Sequence, residues 1–139
     1  LLVKPMIERA EGKILNVAST AAFQPGPGMS IYYASKSFVL SFSYALADEL
    51  EGTGITVTTL CPGPTQTAFH KRAGRSHSKK VLSFWMMRAE KVAEIGFRGL
   101  MCGKRVVIPG FLNKLGYFFT KLLPMKIPTK AARKVIGGV

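Results

Sequence analysis

The chain has 139 residues, of which 47% are hydrophobic and 19% are charged, which suits one domain with a packed core and is too short for two. This composition excludes a disordered chain, the two cysteines exclude a disulfide framework, and no apolar run approaches the roughly 20 residues of a membrane-spanning helix. The net charge of +13 lies in the second half, because residues 1–70 carry four Lys or Arg and five Asp or Glu, whereas residues 71–139 carry sixteen and two.

In chain order, the apolar periodicity and the Gly and Pro residues predict alternating helices and strands. Residues 1–10 are predicted to end a helix, 13–18 to form a buried strand, 19–30 a loop and 31–51 a long helix. The β-branched run at residues 55–60 predicts a second strand. Residues 65–88 are predicted to be an irregular segment with a short helix near 81–87. Residues 89–101 are predicted to form a helix and residues 105–108 a third strand. This order is typical of a parallel sheet with crossover helices, which is an α/β fold.

Residues that directly follow the first two predicted strands are candidates for a functional site. Ser19 follows the first strand, and Pro62 and Gly63 follow the second. Because functional groups in a parallel sheet collect at the carboxyl ends of its strands, we expect the two loops to open onto the same crevice.

Tyr32 and Lys36 lie four residues apart on the long predicted helix, and Ser19 precedes Tyr32 by thirteen residues. One helical turn places the phenol and the ammonium on the same face. A cation held near a phenol favours the phenolate, and such a phenol can exchange a proton with an alcohol or ketone oxygen near neutral pH. A serine hydroxyl nearby can hold the same oxygen, so this triplet indicates reversible carbonyl reduction.

Three segments together resemble the short-chain dehydrogenase/reductase family: Asn16-Val17-Ala18-Ser19, Tyr32-Tyr33-Ala34-Ser35-Lys36 and Pro62-Gly63-Pro64-Thr65-Gln66-Thr67. The resemblance covers residues 1 to about 108. It implies a Rossmann-like doubly wound parallel sheet, of which this chain would contain about three strands, and an NADP or NAD cofactor. The neighbouring Tyr33 lacks the four-residue spacing to Lys36 and the thirteen-residue spacing from Ser19 that identify Tyr32.

The resemblance also implies a role for each matching residue. Tyr32 is expected to be the general acid/base, Ser19 to orient the substrate carbonyl, and Lys36 to bind the nicotinamide ribose beside Tyr32. The nicotinamide end of the cofactor is expected to contact the turn residues Pro62, Gly63, Thr65 and Thr67.

The chain departs from the family pattern where the cofactor pyrophosphate should bind. It contains no Gly-x-Gly-x-x-Gly, and Gly26-Pro27-Gly28 lacks the third glycine. The resemblance therefore implies the carboxyl-terminal half of a Rossmann-type catalytic domain over residues 1–110. Residues 111–139 are predicted from their own pattern to be a basic amphipathic helical tail. We expect this fragment to be inactive alone, and its basic surroundings favour NADP slightly over NAD.

The candidate residues also have structural alternatives. Tyr32 and Lys36 would serve equally as a surface pair on a helix, Ser19 as a partner for a backbone group at a strand end, and Thr67 as a helix cap. The sequence alone leaves these alternatives open.

Several other residues lead to simpler predictions. His70 and His77 lack a third ligand nearby, so no metal site is predicted. Cys61 and Cys102 are predicted to be small buried core residues. The run Trp85-Met86-Met87 is predicted either to join the core or to line an apolar pocket, which would suit a lipid-like ketone.

The tail contains a stripe of large apolar residues at helical spacing: Phe111, Leu112, Leu115, Phe118, Phe119, Leu122 and Leu123. Pro124 ends this run, and further Lys and Arg residues follow it. A basic amphipathic helix of this kind can lie on an acidic membrane surface, and the alternative is that it packs on its own domain or on a second subunit.

The sequence therefore supports two hypotheses about function. The first is an NAD(P)-dependent oxidoreductase that interconverts a ketone and a secondary alcohol. The second is a non-enzymatic basic module that binds an anionic membrane surface through residues 111–134, or another anionic partner, nucleic acid being disfavoured. The chain starts without an initiator methionine or a signal-peptide pattern, so we expect part of a longer cytoplasmic protein, which family resemblance suggests is a homo-oligomer.

Overall fold

The computed structural model describes residues 2–67 and 86–136, and three parallel strands form the central sheet of this part of the chain. The strands are β1 (Gly12–Val17), β2 (Ile55–Leu60), β3 (Thr65–Gln66), β4 (Met87–Arg88) and β5 (Val106–Val107). The helices are α1 (Val3–Glu8), α2 (Ser30–Glu49), α3 (Ala89–Met101), α4 (Phe111–Leu122) and α5 (Lys126–Ile136), and a short 3-10 helix spans Thr20–Phe23.

The main sheet has the order β1-β2-β5, with β2 in the middle. β1 and β2 pair in parallel from Gly12 opposite Ile55 to Val17 opposite Leu60, and β5 pairs in parallel with the end of β2. β3 and β4 form a separate two-residue parallel pair. The strand ends that carry the predicted site residues therefore lie side by side at one edge of the sheet.

Helices cover both faces of the sheet, because alternate side chains of β2 point to opposite sides. On one face, Ile55 and Val57 pack against Leu46 and Leu50 at the end of α2. On the other face, Leu60 packs against Val92 of α3 and Val107 of β5 in a second cluster. The predicted α/β fold with a parallel sheet and flanking helices is confirmed.

Helix α3 approaches the sheet closely at two glycines. A Cβ atom added to Gly96 would lie 2.8 Å from a methyl carbon of Leu60, and one added to Gly99 would collide with the Val107 side chain. Small residues are therefore required on the inner side of α3, and this close contact fixes the helix against β2 and β5.

Most predicted elements are present with small shifts in their bounds. β2 and α3 have the predicted bounds, α2 begins one residue earlier than predicted, and β5 is shorter than the predicted strand. The 3-10 helix inside the predicted loop was not predicted, and the predicted helical tail over 111–139 contains two helices, α4 and α5. The short helix predicted near 81–87 falls mostly outside the described residues, and its last residue is instead in β4, where Met87 packs against the cluster around Leu60.

The two cysteines differ in their surroundings. Cys61 is fully buried beside Ala18, Ala22 and Ile108, as predicted. Cys102 is exposed, so its predicted burial is wrong. It directly follows the last residue of α3, at the carboxyl end of the helix, and the described part of the chain leaves it exposed.

Helix α4 packs on the domain through its more polar side. The Tyr117 ring lies against the Phe23 ring at 4.4 Å between centroids, and Asn113 Nδ2 donates a hydrogen bond of 2.7 Å to the Pro109 carbonyl. The apolar stripe lies on another side of the helix, and all seven of its residues are exposed. In the described part of the chain the helix therefore packs on its own domain, as one of the two alternatives predicted, but it does so through its more polar side and not through the stripe.

Candidate active site

The carboxyl ends of β1 and β2 open onto one cavity of about 610 Å³. Its wall combines the loop after β1, the turn after β2, the start of α2, the first turns of α3 and one side of α4. The expectation that the two strand-end loops share a crevice is therefore correct, because the parallel pairing of β1 with β2 brings both ends to the same edge.

Ser19 lies on the cavity wall and also organises the loop after β1. Its Oγ accepts a hydrogen bond of 3.1 Å from the backbone N–H of Ala21 and so caps the 3-10 helix. It also donates a hydrogen bond of 3.3 Å to the Pro62 carbonyl. A hydroxyl has one donor and two acceptor sites, so a second acceptor site remains, and the long bond to Pro62 can be exchanged for a ligand oxygen. The structural role of Ser19 and a role in catalysis are therefore compatible.

Tyr32 and Lys36 are close together on α2, as their spacing predicts. The Lys36 Nζ lies 5.8 Å from the centroid of the Tyr32 ring and donates a hydrogen bond of 3.2 Å to the Val17 carbonyl at the end of β1. Tyr32 borders the cavity, and Lys36 is not among the residues that line it. The bond to Val17 therefore holds the ammonium near the phenol and joins α2 to the strand that leads to Ser19.

The turn after β2 is held in shape by its own hydrogen bonds. Thr65 Oγ1 donates a hydrogen bond of 2.9 Å to the Gly63 carbonyl, and the N–H of Met87 donates one of 3.1 Å to the Pro64 carbonyl. The side chains or backbone of Pro62, Gly63, Thr65 and Thr67 all border the cavity. Whether Thr67 caps a helix depends on residues outside the described part of the chain.

Helix α4 supplies part of the wall that the sequence did not predict. The residues concerned are Leu112, Asn113, Gly116, Tyr117 and Thr120, and Phe23 and Met29 line the cavity from other elements. A Cβ atom on Gly63 would collide with the Asn113 side chain, so the absence of a side chain at Gly63 lets α4 close against the turn. Residues 113, 116, 117 and 120 have helical spacing, and this spacing is the sequence feature that could have predicted a second functional side of the helix, facing the cavity.

In the described part of the chain, the large apolar side chains of the wall include Phe23, Met29, Leu112 and Tyr117. The run Trp85-Met86-Met87 was predicted either to join the core or to line such a pocket. Met87 packs in the core cluster around Leu60, and Trp85 lies outside the described residues.

Cys61 lies beneath the site and remains a neutral thiol. Burial raises the pKa of the Cys61 thiol from 9.0 to about 11, against the opposite influence of the Ser19 backbone N–H and the Lys36 ammonium. The thiol therefore brings no negative charge near Lys36 at neutral pH. Within residues 2–67 and 86–136, no cluster of three or more His, Cys, Asp or Glu side chains could bind a metal ion.

Comparison with known proteins identifies proteins of similar sequence and fold. The chain is 35% identical over 115 residues to the 17-beta-hydroxysteroid dehydrogenase type 3 of Mus musculus, an alignment covering 83% of this chain and 37% of that protein. A solved structure from work on the stereoselectivity of 7beta-hydroxysteroid dehydrogenase superposes with a TM-score of 0.73 at 25% identity, covering 96% of this chain and 51% of that one.

A short-chain dehydrogenase from Sphingobium yanoikuyae, solved in complex with NADPH, superposes with a TM-score of 0.66 at 28% identity, covering 86% of this chain and 47% of that one. The chain therefore spans between about a third and about half of the length of these relatives. Residues 1–78, which include Ser19, Tyr32, Lys36 and the turn after β2, match the sequence profile of the family described as short chain dehydrogenase. The chain belongs to the short-chain dehydrogenase family.

Proposed function

We propose that this chain is the carboxyl-terminal part of an NAD(P)-dependent oxidoreductase that interconverts a ketone and a secondary alcohol. The observation that carries the proposal is that Tyr32 and Ser19 border one cavity while Lys36 is held 5.8 Å from the Tyr32 ring centroid. A phenol and a hydroxyl on one wall are the groups that a reacting carbonyl oxygen needs.

Each residue of this group has a distinct task in the proposed reaction. The Tyr32 hydroxyl gives a proton to the carbonyl oxygen during reduction and removes it during oxidation. The Ser19 hydroxyl donates a hydrogen bond to the same oxygen and so fixes its position. The Lys36 ammonium stabilises the negative charge that develops on Tyr32, and its bond to the Val17 carbonyl keeps it in place.

The residues after β2 fit the nicotinamide end of a dinucleotide. Pro62 and Gly63 border the cavity, and the hydroxyls of Thr65 and Thr67, which also border it, are groups that can hydrogen-bond a carboxamide. The bound nicotinamide would supply or accept the hydride. NADP is favoured over NAD by the basic surroundings, and a related structure contains NADPH. Because the chain lacks the glycine-rich pyrophosphate turn, a further part of the protein must provide it, and residues 1–139 alone should be inactive.

The substrate is proposed to be a bulky apolar ketone or the corresponding alcohol. The cavity of about 610 Å³ is large enough for a drug-sized molecule, and Phe23, Met29, Leu112 and Tyr117 give it apolar walls. The name of the mouse relative refers to a steroid, which agrees with a substrate of this size and polarity.

The test compares two neighbouring tyrosines in the full-length protein. Tyr32→Phe removes the proposed proton donor, and Tyr33→Phe is the matched control, because Tyr33 borders the same cavity but does not have the four-residue spacing to Lys36. We expect Tyr32→Phe to lower kcat for ketone reduction by about 10² to 10⁴-fold and Tyr33→Phe to change it only a few-fold. NADPH binding, followed by fluorescence, should be retained in both.

Two outcomes would contradict the proposal. If Tyr32→Phe keeps kcat within a few-fold of the parent, Tyr32 is not the acid/base. If both variants lose activity equally while retaining NADPH, the effect comes from the shape of the cavity and not from proton transfer.

A further inference from the structure

The exposed side of α4 carries a continuous apolar surface, which we call the α4 stripe. It consists of Phe111, Leu112, Leu115, Phe118, Phe119, Leu122 and Leu123. Within it, Phe118 is 57% exposed and Leu122 is 64% exposed. Contiguous exposed apolar surface on a helix indicates a contact with another apolar phase or molecule.

The α4 stripe is exposed because a different side of the helix packs on the domain. Asn113 and Tyr117 hold that side against the Pro109 carbonyl and the Phe23 ring. At 100° per residue, these positions lie far around the helix from the stripe. The helix therefore has one side for the cavity wall and another that the described part of the chain leaves exposed, with Leu112 at the border between the two.

The chain around the α4 stripe is uniformly basic. Residues 111–136 contain six Lys or Arg and no Asp or Glu. On α4, Lys114 and Lys121 are exposed and lie to one side of the stripe. On α5, Lys126, Lys130, Arg133 and Lys134 lie on the side opposite the buried Pro128 and Ala132. We call these four residues the α5 basic face.

We propose that the α4 stripe and the α5 basic face dock the protein on an anionic lipid surface. The stripe would enter the boundary between headgroups and acyl chains, and the ammonium and guanidinium groups would meet lipid phosphates and carboxylates. The contact is peripheral, since no helix of residues 2–67 and 86–136 is long and apolar enough to cross a bilayer.

The positive charge around the α4 stripe favours an anionic lipid surface over a second copy of the chain as the binding partner. A symmetric contact through the α4 stripe would bring two surfaces together that each carry six positive charges and no negative charge. An anionic lipid surface complements the same charge and provides an apolar phase for the stripe. If the proposed function is also correct, docking places the outer side of α4, whose other side lines the cavity, in the lipid phase where an apolar ketone is concentrated. The docking itself does not depend on that function.

The experiment measures binding of the full-length protein to sedimenting vesicles of phosphatidylcholine with and without phosphatidylserine, at low and high salt. The stripe variant is Phe118→Ser with Leu122→Ser. Its matched control is Phe97→Ser with Met101→Ser, because that pair on α3 has the same spacing and similar exposure, 59% and 53%. The charge variant is Lys126→Gln with Lys130→Gln, and its control is Lys4→Gln with Lys104→Gln, where the lysines are equally exposed but lie elsewhere.

We expect the parent protein to bind phosphatidylserine vesicles at low salt and to be released at high salt. The stripe variant should bind at least about tenfold more weakly, from the lost apolar insertion. The charge variant should bind on the order of fivefold more weakly for each lysine removed, and the two controls should bind like the parent.

Several results would overturn the proposal. Failure of the parent to sediment with phosphatidylserine vesicles at low salt would do so, as would equal losses in the variants and their controls. Equally tight binding to pure phosphatidylcholine would show that anionic lipid is not the partner. A dimer in analytical ultracentrifugation that the stripe variant abolishes, without vesicle binding by the parent, would assign the stripe to a second copy. Retained NADPH-dependent activity in the stripe variant would show that it remains folded.

Discussion

The burial of Cys61 predicts a loss of stability at alkaline pH whose size follows from the structure. In the folded protein, burial raises the pKa of this thiol from 9.0 to about 11. In the unfolded chain the thiol ionises near its ordinary pKa, so between these two values the folded state binds more protons than the unfolded state. The stability contributed by the neutral buried thiol is therefore complete below pH 9 and is lost as the pH rises through about 11.

The expected loss can be calculated from the two pKa values. Each unit of difference corresponds to about 1.36 kcal/mol, so the full effect is about 2.7 kcal/mol, and about 1.3 kcal/mol of it falls between pH 8 and pH 10. The second value is the useful one, because equilibrium unfolding can be measured at both pH 8 and pH 10.

The assay is urea unfolding of the full-length protein and of Cys61→Ala at pH 8 and at pH 10. Other groups, including Tyr44, whose pKa is also raised by burial, titrate in both proteins and cancel in the difference. The parent should lose about 1.3 kcal/mol more than the variant. Cys102→Ala is the control, and it should behave like the parent because Cys102 is exposed. If the parent and Cys61→Ala lose stability in parallel, the thiol is not held neutral by burial and the reasoning fails.

Two further predictions concern the packing of α3 and the cavity wall. Gly99→Ala should lower the free energy of urea unfolding by about 1–3 kcal/mol, because the new methyl group collides with Val107. The control Gly116→Ala, which has open space around it, should be neutral or stabilising. Adding Val107→Ala to Gly99→Ala should restore part of the loss, and the absence of any rescue would contradict the collision. Tyr117→Ala removes an apolar wall next to Phe23 and should raise KM for a bulky apolar ketone roughly tenfold while leaving a small ketone almost unchanged; equal effects on both substrates in steady-state assays would argue against the wall.

Local sequence patterns were sufficient to predict most of the elements and the strand-end position of the site. A short apolar run identified β1, a β-branched run identified β2 and helical periodicity identified α3, because each element forms from neighbours in the chain. The four-residue spacing of Tyr32 and Lys36 predicted their proximity for the same reason, since one helical turn brings them together whatever surrounds the helix. The resemblance to the short-chain dehydrogenases added the roles proposed for these residues.

Other parts of the site could not be predicted from local patterns. Asn113 and Tyr117 reach the cavity through contacts with Gly63 and Phe23, which are distant in the sequence, and steric fit between such residues leaves no periodic signal. The same limitation explains the wrong prediction for Cys102, because burial depends on what covers a residue and not on its type.

The sequence by itself determined the order of strands and helices and the pairing of Tyr32 with Lys36 on one turn of α2. It also determined that α4 would be amphipathic, because side-chain periodicity is a property of the helix alone. Only the tertiary structure decided which side of α4 faces the domain. The compact fit of Asn113 and Tyr117 against the strand-end loops directed the more polar side inward, and it left the larger apolar residues on the outside.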